Sequence, residues 1–401
     1  MGESMRILWT LLLLGSTARA GGFAIPEQSA RAMGMAGVGT GSAEGASSIF
    51  YNPGNLAFEE GVSAELSSLL ILPVFQFTPL RGQDGVATLA NTRLFVIPNL
   101  FLSYPVTPRL QVGLGAFSNH GLGISWPDTF PGRFESSEAN LVTFTANPTV
   151  SYKLHEQVGV GAGLDVVRGT VELAQRLNFL DTEGTLRLGG GAWGVGANAG
   201  VTARFWADAL QIGAQWRGAV PLNFSGRADF STPIEFQNQL RDQPVKTTFT
   251  LPHQFSVGAR YKVMPRLKAH VDLQYTLWSA FDALRVDFVN DASLSQVEAR
   301  NWKDTFTFRA GAEYGLTDTL TVRAGAGFDP SPSPSNTLSP SLPDCDRTLF
   351  SAGVGYRLGN FNLDAGYLLA WLTPRDTQGE AFPANYLGQA HLLGVTVSFR
   401  Q

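Results

Sequence analysis

Hydrophobic and polar residues alternate along most of the chain from about residue 62 onward. From Trp193 to Phe205 every odd position is apolar, whereas every even position is glycine, asparagine, threonine or arginine. From Leu393 to Phe399 the odd positions again carry large apolar side chains. A period of two is typical of β-strands that lie between an apolar and a polar environment. The pattern therefore predicts an all-β fold.

Two all-β architectures produce this alternation: a soluble sandwich with an apolar inner face and a transmembrane barrel with an apolar outer face. The segments are longer than the usual strand of a globular protein and long enough for a tilted strand to cross a membrane. The apolar faces often end in an aromatic residue, as in the interfacial girdles of barrels. These aromatic residues are Trp193, Phe205, Trp216, Tyr261, Tyr275, Tyr314, Phe328, Tyr356 and Trp371.

Short and long connections alternate between the segments, as in outer-membrane barrels. The predicted long connections are residues 78–92, 118–138, 226–248, 329–347 and 375–388. The segments themselves number fourteen, and an even count suits a closed antiparallel barrel. They are residues 62–77, 93–105, 109–117, 139–154, 157–174, 191–206, 209–224, 249–263, 266–288, 302–315, 319–328, 347–358, 360–373 and 389–400. We therefore predict a fourteen-stranded antiparallel transmembrane β-barrel, with a soluble multi-sheet protein as the alternative.

Two segments precede the predicted barrel, which spans residues 62–401. Residues 1–20 combine Arg6, an apolar stretch and an Ala18-Arg19-Ala20 end, which is typical of a cleaved signal peptide. An anchor helix, the alternative, needs a longer apolar run. Residues 21–61 are rich in small residues and do not alternate. Because a barrel of fourteen strands has a wide lumen, we predict that this segment is a hatch that fills it, the alternative being a flexible periplasmic tail.

Composition and motifs exclude several classes of function. Charged residues make up 15% of the chain and the net charge is −4, so no nucleic-acid partner is expected. A single cysteine allows no internal disulfide and no cysteine-based metal cage, and we predict neither metal nor cofactor. Residues 189–194 match G-x-G-x-x-G, but a strand pattern follows where a phosphate-binding helix would be needed. We therefore predict that the chain is not an enzyme.

Long stretches of the chain resemble a known family. The start GGFAIPEQSARAMGMAGVGTGSAEGASSIFYNPGNL is similar to the hatch of the FadL-type outer-membrane transporters of long-chain fatty acids and hydrocarbons. Further similar stretches include IPNLFLSYPVTPRLQVGLGAFSNHGLGISWPDTFPGRF, LPHQFSVGARYKV and NWKDTFTFRAGAEYGLTD. The resemblance covers nearly the whole mature chain and implies a fourteen-stranded barrel with an N-terminal hatch.

The resemblance also implies where a ligand would leave the barrel. In the family, an Asn-Pro-Ala turn of the hatch faces a kinked third strand that opens a lateral gap. The matching turn here is Asn52-Pro53-Gly54. The matching kink contains Phe117, Ser118, Gly121 and Gly123, and the alternation stops after Ala116. An ordinary loop entrance is the alternative for these glycines.

Ligand capture in the family uses an apolar groove between two extracellular loops, here residues 175–190 and 226–248. Mutual packing of the loops is the alternative role for their apolar residues. The expected groove residues are Leu177, Phe179, Leu180, Leu186, Leu188, Phe230, Ile234, Phe236 and Leu240. Arg168, Arg176 and Arg300 are candidates for binding a fatty-acid head group, with ordinary ion pairing as the alternative.

The expected function is passive transport of hydrophobic small molecules across the outer membrane of a Gram-negative bacterium. Long-chain fatty acids are the first expectation, and neutral aromatic or aliphatic hydrocarbons are the second. A general porin for polar solutes is a further alternative. The expected partners are the hydrophobic ligand, outer-membrane lipid and lipopolysaccharide, and the chain is expected to be a monomer.

Overall fold

A computed structural model describes residues 22–80, 85–377 and 383–401 of the chain. The predicted signal peptide, residues 1–20, and the first residue of the predicted hatch lie outside these ranges. Within them, three four-residue helices precede the strands: α1 (Ala30–Met33), α2 (Ser48–Tyr51) and α3 (Pro53–Leu56). No helix among the described residues is long and apolar enough to cross a membrane.

Fourteen strands follow, and five of them are divided into two segments. They are β1 (Ser63–Pro79), β2 (Phe95–Thr107), β3 (Leu110–Phe117 and Gly121–Ser125), β4 (Glu138–His155), β5 (Val158–Asn178), β6 (Glu183–Phe205), β7 (Leu210–Arg217 and Val220–Ser231), β8 (Gln243–Leu251 and Gln254–Met264), β9 (Leu267–Thr276 and Ala283–Phe288), β10 (Gln296–Ala299 and Thr305–Gly315), β11 (Leu320–Asp329), β12 (Arg347–Leu358), β13 (Phe361–Asp376) and β14 (Ala384–Arg400).

Each strand pairs antiparallel with its neighbours in the chain, and the sheet closes on itself. The closing ladder joins β14 to β1, from the pair Ser63–Arg400 to the pair Pro79–Ala384. Closure satisfies the backbone hydrogen bonds of the wall without leaving a free edge. The predicted fourteen-stranded all-β barrel is confirmed.

The alternating side chains lie as a transmembrane barrel requires. Along β6, Trp193 is 67% exposed on the outside, whereas Asn198 is 1% exposed on the inside. Along β13, Phe361, Leu363 and Trp371 are also exposed on the outer surface. An apolar outer face and a polar inner face exclude the soluble sandwich, whose apolar face would be inside.

Several predicted boundaries were wrong, including residues 226–248, of which only 232–242 connect β7 to β8. Residues 175–190 were predicted as a long loop, yet β5 and β6 continue as a ladder to the pair Asn178–Glu183. Gly189 and Gly190, the last residues of the predicted loop, pair within the sheet. In the other direction, the predicted strand 266–288 is interrupted after Thr276, where Trp278 is buried in an aromatic cluster with Phe23. Period two in the sequence does not show such interruptions, because they depend on packing inside the barrel.

Residues 22–57 are mostly buried and contact strands around the circumference of the barrel. The Ala30 N–H donates to Thr396 Oγ1 of β14 at 2.8 Å, and the Ala36 N–H donates to Ser351 Oγ of β12 at 2.7 Å. The Gly39 N–H donates to an Asp272 carboxylate oxygen of β9 at 2.8 Å. Inward-facing polar side chains of the wall thus satisfy backbone amides of a segment that has few regular hydrogen bonds of its own.

Candidate functional site

The third strand of the barrel is broken between its two segments. Its ladder with β2 ends at the pair Leu100–Ala116, whereas Gly121–Ser125 pair with β4. A backbone contact across this part of the wall returns at Asn91, whose N–H donates to the Ser125 carbonyl at 2.8 Å. Between these two points the wall has a break, and it begins where the sequence alternation stops.

The start of the N-terminal segment occupies this break as an added strand. An antiparallel bridge joins Ala24 to His120. On each side of this bridge, a backbone N–H of one segment donates to a backbone carbonyl of the other at 2.9 Å. The side-chain amide of Gln28 donates to the Ser118 carbonyl at 2.9 Å. The sequence analysis identified Ser118 but not Ala24 or Gln28, because one bridge is too short to leave a period-two pattern.

Two side chains close the break from opposite sides. A Cβ atom on Gly123 would overlap the ring of Phe95, and one on Gly121 would lie 3.1 Å from Ile25 Cδ1. The absence of side chains at these glycines therefore makes room for Phe95 of the wall and Ile25 of the N-terminal segment. The sequence identified the two glycines but gave no signal for the residues that fill the space.

An apolar cavity of about 270 Å³ lies directly behind the break. Aliphatic residues of several strands line it, including Ile71, Leu349 and Leu392, together with Gly121 and Gly123. The cavity also touches Val96 and Val142, whose side chains are exposed on the outside of the barrel. It therefore extends to the wall at the break. Its polar residues include Glu27, Asp329 and Arg347.

Two further cavities continue from this deep cavity toward the long connections. A constriction of about 70 Å³ shares Phe23, Leu122 and Leu141 with the deep cavity. A loop cavity of about 510 Å³ shares Leu284 and Arg300 with the constriction. The three cavities thus adjoin one another in series from the long connections to the break in β3, and the constriction has the smallest volume of the three.

The predicted groove residues occupy several different positions. Leu186 and Leu188 line the loop cavity, whereas Leu177 and Phe230 pack in a cluster with Val286 of β9. Leu240 is partly buried in the connection between β7 and β8. Only some of the predicted residues therefore line an internal cavity, and the rest belong to the wall or to its outer end.

Four of the predicted groove residues form an apolar tip where the end of the β5–β6 hairpin meets the connection between β7 and β8. Phe179 packs on Phe236 with ring centroids 4.6 Å apart. Leu180 is 94% exposed and Ile234 is also exposed. Exposed apolar patches on membrane proteins and soluble proteins alike often mark sites of contact with a ligand or partner.

The three candidate head-group residues are not equivalent. Arg168, a candidate expected to face inward or to lie near the loops, is on the outer face of β5, 5.5 Å from the ring centre of Trp193. Arg176 pairs with Asp128 at 2.5 Å in the outer connections. Arg300 lines both the constriction and the loop cavity. Of the three, Arg300 is the one beside the route.

The Asn52-Pro53-Gly54 turn packs against β4 to β7. The Asn52 side-chain amide donates to Thr202 Oγ1 of β6 at 3.1 Å, and its carbonyl oxygen caps α3 through the Gly54 N–H. Ser151 Oγ of β4 donates to the Pro53 carbonyl at 2.7 Å. The family resemblance implied that this turn faces the kinked strand. Phe50, two residues before the turn, packs on Phe117 at the end of the first segment of β3, whereas residues 23–28 contact residues 118–121.

Ion pairs hold the N-terminal segment at the end of the barrel that carries the short turns. Arg31 pairs with Glu313 at 3.1 Å, and Glu313 also pairs with Arg323 at 2.7 Å. Arg323 in turn pairs with Asp364 at 2.6 Å. These residues line a polar cavity of about 400 Å³. The segment is therefore anchored by charges at one end and by a few backbone contacts at the break.

Glu27 is a buried carboxyl group beside the deep cavity. Burial raises its pKa to about 7, against the opposing effect of the Arg309 charge, and the Asp329 charge acts in the same direction as burial. No group of acidic, histidine or cysteine residues in the described ranges has the arrangement of a metal site.

The shifted pKa of Glu27 predicts a pH-dependent stability. Because the folded protein binds this proton more tightly than the unfolded chain, the contribution is complete below about pH 4.5 and is lost as the pH rises through about 7. We expect a loss of about 3 kcal/mol between pH 4.5 and pH 8 from this group. The free energy of unfolding of the Glu27→Gln variant should not show this pH-dependent loss. The same pH profile of the unfolding free energy in the variant and the unmodified protein would contradict the prediction.

Comparisons with known proteins agree with this architecture. A family described as outer membrane protein transport protein (OMPP1/FadL/TodX) matches residues 11–400. The long-chain fatty acid transport protein of Salmonella typhi is 26% identical over 385 residues, which cover 88% of this chain and 87% of that protein. The crystal structure of a Pseudomonas aeruginosa FadL homologue has a TM-score of 0.86 at 18% identity, covering 95% of this chain and all (100%) of that one.

The Pseudomonas putida toluene transporter TodX also has the same fold. Its TM-score is 0.75 at 17% identity, with 93% of this chain and 98% of that chain covered. At these identities the solved structures establish the fold alone, whereas the family match extends over nearly the whole sequence. The chain belongs to the OMPP1/FadL/TodX family of outer membrane transport proteins, and its location is the outer membrane of a Gram-negative bacterium.

Proposed function

We propose that this protein transports hydrophobic small molecules passively from the loop cavity to the membrane through the break in β3. The observation that carries the proposal is the route itself: three cavities with shared lining residues connect the long connections to the broken strand. Most of the lining is aliphatic or aromatic, as expected for a ligand that gains free energy by leaving water.

Capture begins at the outer end in this proposal. The apolar tip formed by Phe179, Leu180, Ile234 and Phe236 offers exposed surface to a ligand that crosses the polar layer outside the membrane. The loop cavity, lined in part by Leu186 and Leu188, receives the ligand next. Burial of apolar ligand surface provides about 25 cal/mol per Å², so no external energy source is required for entry.

Passage through the constriction requires movement of the N-terminal segment. Phe23 lines the constriction, and Ile25 fills the space beside Gly121. Among the described residues no ion pair holds residues 23–28, whereas the pair of Arg31 and Glu313 fixes the segment further along. We infer that residues 23–28 move locally while the remainder of residues 21–61 stays in the lumen as a hatch, inside a barrel of residues 62–401.

A lateral exit suits the chemistry of the ligand. A hydrophobic molecule released at the break enters hydrocarbon directly and avoids the polar periplasm. The neighbouring proteins with related folds or sequences transport a fatty acid or toluene according to their names, which supports a hydrophobic cargo here. We also propose that the protein acts as a monomer without catalytic activity, surrounded by outer-membrane lipid and lipopolysaccharide.

The break in β3 can be tested by filling it. We expect the double variant Gly121→Val with Gly123→Val to lower uptake of a radiolabelled hydrophobic ligand by cells at least about tenfold, because the added side chains occupy space taken by Ile25 and Phe95. Binding at the loop cavity should persist, since neither glycine lines it.

Gly189→Val provides a matched control in β6, because no atom lies within 4 Å of a Cβ built at that position. Its uptake should equal that of the unmodified protein. Unchanged uptake in the double variant, with the protein correctly inserted in the outer membrane, would show that the ligand leaves by another route.

A further inference from the structure

Charged side chains along the three connected cavities are few. Among the described residues, carboxylates outnumber arginines in the lining of this route. A transporter that binds an ionised carboxylate needs a cation that can form a new pair with it. The charged lining residues are Glu27, Glu135, Glu298, Arg300, Asp329 and Arg347.

Arg300 is the arginine at the constriction, and its guanidinium group already has partners. Its side chain is 3% exposed. One terminal nitrogen, Nη2, donates to Glu298 Oε2 at 2.8 Å and to Ser341 Oγ at 3.0 Å. The other, Nη1, donates to Ser339 Oγ at 2.9 Å. The positive charge beside the constriction is therefore paired with the Glu298 carboxylate, whose side chain is 49% exposed.

Arg347 beside the deep cavity is paired in a similar way. It donates to an Asp344 carboxylate oxygen at 2.9 Å and to the Gly22 carbonyl at 2.5 Å, and it lies 3.7 Å from an Asp329 carboxylate oxygen. Glu27 faces the same cavity. An anion that reached this cavity would thus meet two acidic side chains and an arginine that is already bonded.

We propose that the protein selects hydrophobic molecules without a net charge, and that Glu298 sets this selectivity by pairing with Arg300 at the constriction. The inference rests on the transport function proposed above and specifies its ligand class: hydrocarbons, long-chain alcohols or esters. This proposal favours neutral hydrocarbons over long-chain fatty acids as the transported ligands.

The physical reason is the desolvation of the head group. A carboxylate loses its hydration in an apolar constriction, and this loss is costly unless a cation and hydrogen-bond donors replace the water. Here the available guanidinium group is shared with Glu298, so an incoming carboxylate meets a like charge beside the arginine. A neutral ligand carries no such cost and gains the same burial of its chain.

The test uses palmitate and its methyl ester at pH 9, where the fatty acid is ionised, with the purified full chain in detergent. We expect the unmodified protein to bind the ester at least about tenfold more tightly than palmitate in competition titrations. In the Glu298→Gln variant, Arg300 loses the Glu298 carboxylate, and the preference should shift toward palmitate by at least about tenfold while ester binding stays unchanged.

Glu135→Gln is the matched control, because Glu135 lines the loop cavity but is not the ion-pair partner of Arg300. Its ester-to-acid ratio should remain close to that of the unmodified protein. Tighter binding of palmitate by the unmodified protein, or an equal shift in both variants, would overturn the assignment of Glu298 and leave transport itself standing. Binding of neither probe would overturn the transport function as well.

Discussion

Deletion of residues 22–58 should convert the protein into an open, ion-conducting pore. The segment occupies the lumen and contacts β9, β12 and β14 through backbone amides. Without it, the lumen of a fourteen-stranded barrel is lined by polar side chains and is wide enough to fill with water. Single-channel recordings in a planar lipid bilayer should show a steady conductance at least roughly tenfold above that of the full chain.

The control for this prediction is the folded state of the deletion variant. The closing ladder between β1 and β14 does not include the deleted residues, so the wall should still form. Heat-dependent migration of the deletion variant in a denaturing gel reports whether the barrel wall has formed. A large steady conductance from the full chain itself would instead support the general porin, because a filled lumen does not conduct continuously.

Much of the barrel was predictable because each strand separates lipid from the lumen. The same periodicity also assigns residue 168 to a face: it lies on the side of β5 that carries Leu164, which is exposed to the outside. Parity alone would therefore have placed Arg168 outside the barrel. The start of the break in β3 was predictable for a related reason, since a strand that leaves its ladder loses its alternation.

The contacts inside the barrel could not be predicted in this way. The bridge between Ala24 and His120 joins residues far apart in sequence and leaves no local pattern. The contact of Phe95 with Gly123 depends on the curvature of the wall. The pairing of Arg300 with Glu298 depends on which loop residues turn inward. Such contacts are set by three-dimensional packing rather than by local periodicity.

Removal of the buried carboxylate of Asp165 should destabilise the barrel strongly. Asp165 of β5 and Arg217 of β7 form an ion pair at 2.6 Å, and their side chains are 2% and 5% exposed. The Asn147 side-chain amide donates to the same carboxylate at 2.7 Å. Asp165→Ala leaves the Arg217 charge without its carboxylate partner, which we expect to lower the free energy of unfolding by about 3–5 kcal/mol in denaturant titrations.

An exposed ion pair of the same chain gives the comparison. Asp229 pairs with Arg227 at 2.8 Å, but both side chains are more than half exposed. Asp229→Ala should therefore change the free energy of unfolding by less than about 1 kcal/mol. The double variant Asp165→Leu with Arg217→Met should recover much of the stability, because it removes the isolated charge. Equal effects of the two alanine variants would mean that water reaches Asp165 in the lumen, and the buried pair would then contribute no more than the surface pair.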